Sequence, residues 1–140
     1  MTRPASRAVA IVLAILAAGC GGGDDAPDSE QVTKAVSDYA HAFGSGDGDK
    51  ACALLTPGAR DGFTSRVSSL VGTRDCAEAM DKLQTVAGPN VTGPFQDATA
   101  SGAKVEGDTA TVTLKAGGAS EQVKLEKRDG DWLLTRAPGT

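Results

Sequence analysis

Apolar residues recur along the chain with two periods, and the change falls near Gly88. Ahead of it the spacing is helical. Val32, Ala35, Val36, Tyr39, Ala40 and Phe43 stand three or four residues apart and make one stripe, while Lys34, Ser37, Asp38 and His41 fall off it. This predicts an amphipathic helix that opens at Asp28, with Gln31 three residues on as in a capping box, and closes at Gly44-Ser45-Gly46. Ala51, Cys52, Leu54 and Leu55 predict the buried side of a shorter helix, capped by Asp47 and stopped by Thr56-Pro57-Gly58. Ala59 to Leu70 sets Phe63, Val67 and Leu70 among Arg60, Asp61 and Arg66 and predicts another helical piece, broken near Gly62. Thr73 is the expected cap of the next helix, where Cys76, Met80 and Leu83 share a face until Gly88-Pro89 ends it.

Beyond Gly88 the period becomes two. Phe95 to Ala100 is the expected first strand, with Ala103 to Val105 continuing it or pairing with the next strand, and Glu106-Gly107-Asp108 is a turn. From Thr109 to Leu114, Thr alternates with Ala, Val and Leu, which is the pattern of a half-buried strand. Ala116 to Ser120 turns the chain, and Val123 and Leu125 alternate with Gln122, Lys124 and Glu126. Asp129-Gly130 is the signature of a tight hairpin, Trp132 and Leu134 share one face of the last strand, and Ala137-Pro138-Gly139 is expected to fray. Helices first and an antiparallel meander second make an α+β layout, with the sheet packing its apolar face on the helices.

The first twenty residues have a different character. Arg3 and Arg7 form a short positive region, Ala8 to Ala18 is uninterruptedly apolar, and small residues lead to Cys20. That is the three-part build of an export signal, with an apolar run well short of the roughly 20 residues a spanning helix needs. Leu16-Ala17-Ala18-Gly19-Cys20 resembles the bacterial lipobox, in which the cysteine is lipidated and becomes the first mature residue. In the strictest form of that pattern a Leu stands three places before the Cys; Leu16 stands four before it, and Ala17 takes that place. Cys20 could otherwise be a disulfide partner or a lone thiol, but neither accounts for the export signal before it and the Gly-rich stretch after it. Gly21 to Pro27 reads as a solvated tether. The expected organisation is a signal peptide over 1–19, a lipidated Cys20 with its tether over 20–28, and one domain over 29–137. Two or three acyl chains give lasting attachment to the extracytoplasmic face of the cell membrane.

Removing residues 1–19 deletes Arg3 and Arg7 and no acid, which takes the formal charge from −4 to −6. An acidic domain is repelled by an anionic bilayer, so the lipid must do the anchoring. The same balance argues against nucleic acid, which needs a basic face. In an oxidising compartment the remaining cysteines, Cys52 and Cys76, are expected to form a disulfide. Its loop of about 25 residues would stabilise the fold by ~3.5 kcal/mol in the chain-entropy model. A metal pair or a reactive thiol is the rival reading; a metal site wants further ligands, and the only histidine is His41. Asp47-Gly48-Asp49 suggests a calcium loop, but its twelfth position is Gly58 where such a loop needs Glu. Asn90-Val91-Thr92 fits a glycosylation acceptor and carries little weight in a bacterial lipoprotein.

Several motifs together resemble a known group. Val36 to Phe43 lies on an amphipathic helix, Gly48 to Leu55 reads Gly-Asp-x-x-Ala-Cys-x-Leu-Leu, and a second helical Cys comes after it. Val105 to Leu134 then reads as paired hairpins ending in Gly-x-Trp-x-Leu. This is similar to the small NTF2-like (cystatin-like) lipoproteins of high-GC Gram-positive bacteria, over roughly residues 29–137. The resemblance implies a curved antiparallel sheet wrapping a long helix into a cone with a pocket, which Tyr39, Phe43 and Trp132 would line. It implies little about activity, since that fold serves isomerases, cyclases, dehydratases, transport adaptors and binding modules alike.

Catalysis in such a cone needs an acid or base aimed inward. Histidine is the natural first candidate for proton exchange, but His41 lies off the apolar stripe. Tyr39 reads as a core aromatic with its hydroxyl at the rim, and Trp132 as a seal between sheet and helices. Asp97, Thr109, Thr111 and Thr113 read as exposed. No Ser/His/Asp set, metal cluster or phosphate loop stands in the sequence, and no cofactor is implied. Three readings remain: a non-catalytic envelope lipoprotein holding an apolar small molecule or lipid, an interaction module for another envelope protein, and an isomerase or hydrolyase. They call respectively for an apolar cavity with one or two polar groups, an exposed apolar patch, and a buried His or Asp with a shifted pKa. Binding or interaction is favoured over catalysis. A homodimer through the exposed sheet face is a further arrangement the resemblance allows.

Overall fold

A computed structural model describes residues 26–140; Cys20 and the expected signal lie outside them. The core is built on helix α1 (Asp28–Ser45), whose stripe from Val32 to Phe43 is buried as its spacing requires. Its start departs from the expected capping box. Pro27 occupies the cap position without a side-chain bond, and Gln31 Nε2 reaches back to the Ala26 carbonyl. Asp28 stands one residue inside, and its carboxylate is used elsewhere.

Three more helices come next. Asp47 caps α2 (Gly48–Ala53) by accepting from the Lys50 N–H. Thr56 then caps α3 (Pro57–Val71), with Pro57 in the first turn where a missing N–H costs nothing. α3 runs through Gly62 without a break, because Phe63, Val67 and Val71 keep one buried face along its whole length. α4 (Cys76–Ala87) is capped by Asp75, not Thr73. The Thr73 hydroxyl instead accepts from the Asp75 N–H and donates to Glu78.

The largest difference comes after Gly88. Pro89 to Gln96 is a helix, α5, where the sequence pattern placed the start of a strand at Phe95. Pro89, Gly93 and Pro94 disguise it, but Val91 and Phe95 are four apart, and Thr92 and Phe95 are buried. Tertiary packing overrides propensity at this point. α5 lies so close to the end of α1 that a β-carbon on Gly44 would come within 2.7 Å of the Gln96 nitrogen. Gln84 and Gln96 donate side-chain amide hydrogens to the Gly44 carbonyl at 2.8 and 2.9 Å, satisfying an acceptor that the helix end leaves open.

Four antiparallel strands complete the chain in the order β1-β2-β3-β4: β1 (Thr99–Glu106), β2 (Thr109–Ala116), β3 (Ala119–Arg128) and β4 (Asp131–Leu134). Val112 pairs with Val123, Ala110 with Leu125, and Leu125 with Leu134, so the apolar sides share one face and cover α1. β1 bulges between Ser101 and Lys104. The β3–β4 turn has the positive φ angles, 52° at Asp129 and 89° at Gly130, that its Asp-Gly sequence predicts. The outer edge of β4 is covered by Leu54–Thr56: Leu134 N–H donates to the Leu54 carbonyl at 2.8 Å, and Thr56 N–H to the Leu134 carbonyl at 2.9 Å. The α+β layout read from the sequence is thus the fold.

Ala137-Pro138-Gly139 does not fray. Ala137 and Pro138 are buried, and the Gly139 N–H donates to Glu121 at 3.2 Å. Two apolar side chains that find a buried seat outweigh the absence of regular structure.

Candidate functional site

Cys52 and Cys76 are joined, with their α-carbons 6.1 Å apart. Cys52 sits on the buried side of α2, and Cys76 opens α4. The bond staples these two helices, and beside it the Gly48 N–H donates to Asp81 on α4 at 3.1 Å.

The three pocket candidates separate into two groups. Tyr39 and Phe43 lie one turn apart on α1 with centroids 6.0 Å apart, and Phe95 meets Phe43 edge-on at 4.9 Å. Trp132 belongs to the opposite end of α1. Its Nε1 donates to Asp28 at 3.2 Å, and Lys127 Nζ donates to the same carboxylate oxygen at 3.0 Å while lying 5.6 Å from the indole centroid. Asp28 and Tyr39 are eleven positions apart along the helix, about 17 Å of axis. The two hydrogen bonds and the Lys127 charge hold the Asp28 carboxyl below its ordinary range. Trp132 therefore closes the sheet onto α1 and ties down the first residue of that helix. His41 is exposed, as its position off the stripe requires.

Tyr39 is the unusual residue. It is fully buried, and its hydroxyl has no hydrogen-bond partner, where the sequence suggested a hydroxyl at the rim. Burial, reinforced by the negative charge of Glu121 and opposed by Arg66, pushes its phenol well above the ordinary value of 10.0. An unsatisfied buried hydroxyl costs about 1–3 kcal/mol, and such groups are few in folded proteins.

Two clefts flank this end of the domain. One, of about 270 Å³, is predominantly apolar and is walled by Val91, Pro94 and Phe95 of α5, by Leu114 and Ala116 of β2, and by Ala119, Glu121 and Gly139. The other, of about 280 Å³, is walled by Glu121, Val123, Lys124, Arg136 and Pro138 among others. They share Glu121, and residues 136–139 supply wall to both. By contrast the depression walled by Lys104, Glu106, Thr109, Thr111, Lys124 and Glu126, with Ala110 and Leu125 at its base, mixes charged, hydroxyl and apolar side chains.

Sequence reading missed Glu121, Arg66 and the segment from Arg136 to Thr140. The only signal was the pair of apolar residues, Ala137 and Pro138, standing after the last strand. Among the described residues no cluster of His, Cys, Asp and Glu is placed to hold a metal ion, and no helix is long and apolar enough to cross a membrane. Comparison with protein-family models, with curated proteins and with solved structures finds no match for this chain.

Proposed function

We propose that this chain is a lipoprotein anchored through Cys20 to the extracytoplasmic face of the cell membrane, and that its NTF2-like domain binds an apolar small molecule or lipid without catalysis. The observation that carries the reading is the apolar cleft between α5 and the β2–β3 hairpin, with one carboxylate, Glu121, on its wall. Apolar walls with few polar groups are the usual make-up of a small-molecule site. Among the described residues the only titratable side chain shut inside the core is the Tyr39 phenol, whose raised pKa keeps it a proton-bearing donor and unsuits it for general-base work at neutral pH.

Native mass spectrometry on residues 21–140, exported so that the disulfide forms, tests this. Extra mass that leaves on denaturation supports it and gives the ligand class. A clean apo mass, with no thermal stabilisation by fatty acids or neutral lipids, would overturn it.

A second reading, recruitment of another envelope protein, draws on three exposed apolar side chains: Leu70 at 58%, Val86 at 54% and Val91 at 43%. Replacing all three by Ser would abolish such recruitment, whereas binding in the cleft would lose only the contribution of Val91.

A further inference from the structure

The end of the domain that holds Tyr39 is closed by a strap of the chain's own residues. Beyond β4, Arg136 to Thr140 crosses the gap between the two clefts without regular secondary structure. Its attachments are few. Arg136 pairs with Glu121, Gly139 N–H donates to the other oxygen of Glu121 at 3.2 Å, and Arg66 Nη2 donates to the Thr140 hydroxyl at 3.0 Å. Arg136 is 62% exposed, so its ion pair contributes little. Ala137 and Pro138 supply the buried surface. Gly139 sits against the tip of the Phe95 ring with φ +77°, and a β-carbon there would come within 2.4 Å of the ring. A segment with few hydrogen bonds and exposed latches is the kind that opens locally before the rest of a domain unfolds.

Both latch residues, Glu121 and Arg66, are also the charges felt by the Tyr39 phenol. The Tyr39 ring stacks on Phe43, Phe43 meets Phe95 edge-on at 4.9 Å, and Gly139 sits against Phe95, so the buried ring belongs to the aromatic cluster that the strap closes. The two clefts meet at Glu121, and the strap supplies Arg136 and Pro138 to one and Gly139 to the other; joined, they reach well into the ~300–1,000 Å³ of a small-molecule site.

We propose that Arg136–Thr140 is a gate. Its displacement joins the two clefts into one groove that takes an apolar molecule or acyl chain carrying a single hydrogen-bond acceptor, and the Tyr39 hydroxyl donates to that acceptor. In the closed state Ala137 and Pro138 fill the place of the apolar ligand, and nothing fills the place of its acceptor. This rests on the binding reading above, but the gate can be tested without any ligand.

Tyr39 is the only tyrosine, so its reaction with N-acetylimidazole reports its exposure directly. Gly139→Ala wedges the strap off Phe95 and Pro138→Gly removes its buried ring, both without a change of charge. Native Tyr39 should be acylated about tenfold faster in either variant, the effect of shifting an opening equilibrium by about 1.4 kcal/mol, while far-ultraviolet circular dichroism stays native. Pro138→Ala, which keeps the backbone and only trims the buried ring, should speed acylation in the same direction and secures the test should either of the others fail to fold. Unchanged acylation in every folded variant overturns the gate. Nile red, a neutral apolar dye, separates the two proposals. Faster acylation without greater dye uptake would keep the opening and refute the apolar groove; dye binding equal in wild type and variants, with acylation unchanged, would keep a binding site and refute the gate.

Discussion

Replacing Tyr39 by Phe should stabilise this protein, against the usual outcome for a change in a core. The hydroxyl is fully buried and unpartnered, so the folded state bears its lost hydration with no bond in return. Removing it recovers about 1–3 kcal/mol. The void left is the size of one oxygen, ~10 Å³, and costs roughly 0.2 kcal/mol at ~24 cal/mol per Å³. The ring contacts with Phe43 survive, because Phe has the same ring. A net gain of about 1 kcal/mol is expected, or about 4 °C in Tm for a domain of this size. Urea and thermal unfolding of oxidised residues 21–140 at pH 7 measure it.

The same substitution has a signature in pH. Tyr39's phenol is raised above its ordinary value of 10.0 by burial first, then by Glu121. Below pH ~10 it is protonated in both the folded and the unfolded chain and adds no pH dependence. Above that value the unfolded chain releases the proton and the folded chain holds it, so stability falls by about 1.4 kcal/mol per pH unit. Tyr39→Phe removes this slope, and its advantage over wild type should widen from pH 10 upward. A loss of about 1 kcal/mol at pH 7 would refute the reasoning, since it would mean that the hydroxyl is hydrogen-bonded in solution. A gap that stayed constant with pH would refute the burial of the phenol.

Other substitutions probe other parts of the molecule. Cys20→Ala should release the protein into the medium or leave its signal uncleaved; retention of a fully lipidated, membrane-bound product would sink the lipobox reading. Cys52→Ala should lower stability by ~3.5 kcal/mol in the oxidised protein only, and a wild type equally stable with and without reductant would contradict the staple. Gly44→Ala should gain about 1 kcal/mol in helix propensity but force α5 away from α1, and overpacking of this kind costs about 1–3 kcal/mol, so the net change should be a loss; the second variant Gln96→Ala, tested by urea unfolding, should also destabilise by removing the amide that caps Gly44. Asp28→Asn removes the charge that Lys127 and the Trp132 indole share. Because the folded carboxyl titrates below its ordinary value, wild-type Trp132 emission should hold steady through the ordinary carboxylate range and change only under stronger acid, and the Asn variant should show no such transition.

How much of the fold was legible in the sequence depends on how local each signal is. The α1 stripe, the Asp47 cap and the Asp129-Gly130 hairpin lie within one or two turns of chain, and each stands in the structure as expected. So does the Cys52–Cys76 bond, because with Cys20 set aside the pairing of the two remaining cysteines needs no register. α5 was hidden because Pro89, Gly93 and Pro94 are breakers by local rule, while its stability comes from Phe95 on Phe43 and from a glycine some fifty residues earlier. The capping-box reading of Asp28 failed for a related reason. A carboxylate near a helix start has a local partner by rule, and this one found Lys127 and Trp132 about a hundred residues away.

The candidate site is the extreme case of that locality limit. Tyr39 comes from α1, Arg66 from α3, Phe95 from α5, Glu121 from β3, and the strap from the chain beyond β4. None is in a motif with another, and each alone has an ordinary explanation: a core aromatic, two surface charges, a fraying Ala-Pro-Gly. Only their convergence removes the ordinary explanations. A phenol needs no burial so complete that its hydroxyl goes unpaired, and a fraying segment needs no buried proline. That Tyr39 and the strap both pack on the Phe43–Phe95 pair is why a gate accounts for both, where a filled core would account for the buried ring and leave the orphaned hydroxyl unexplained.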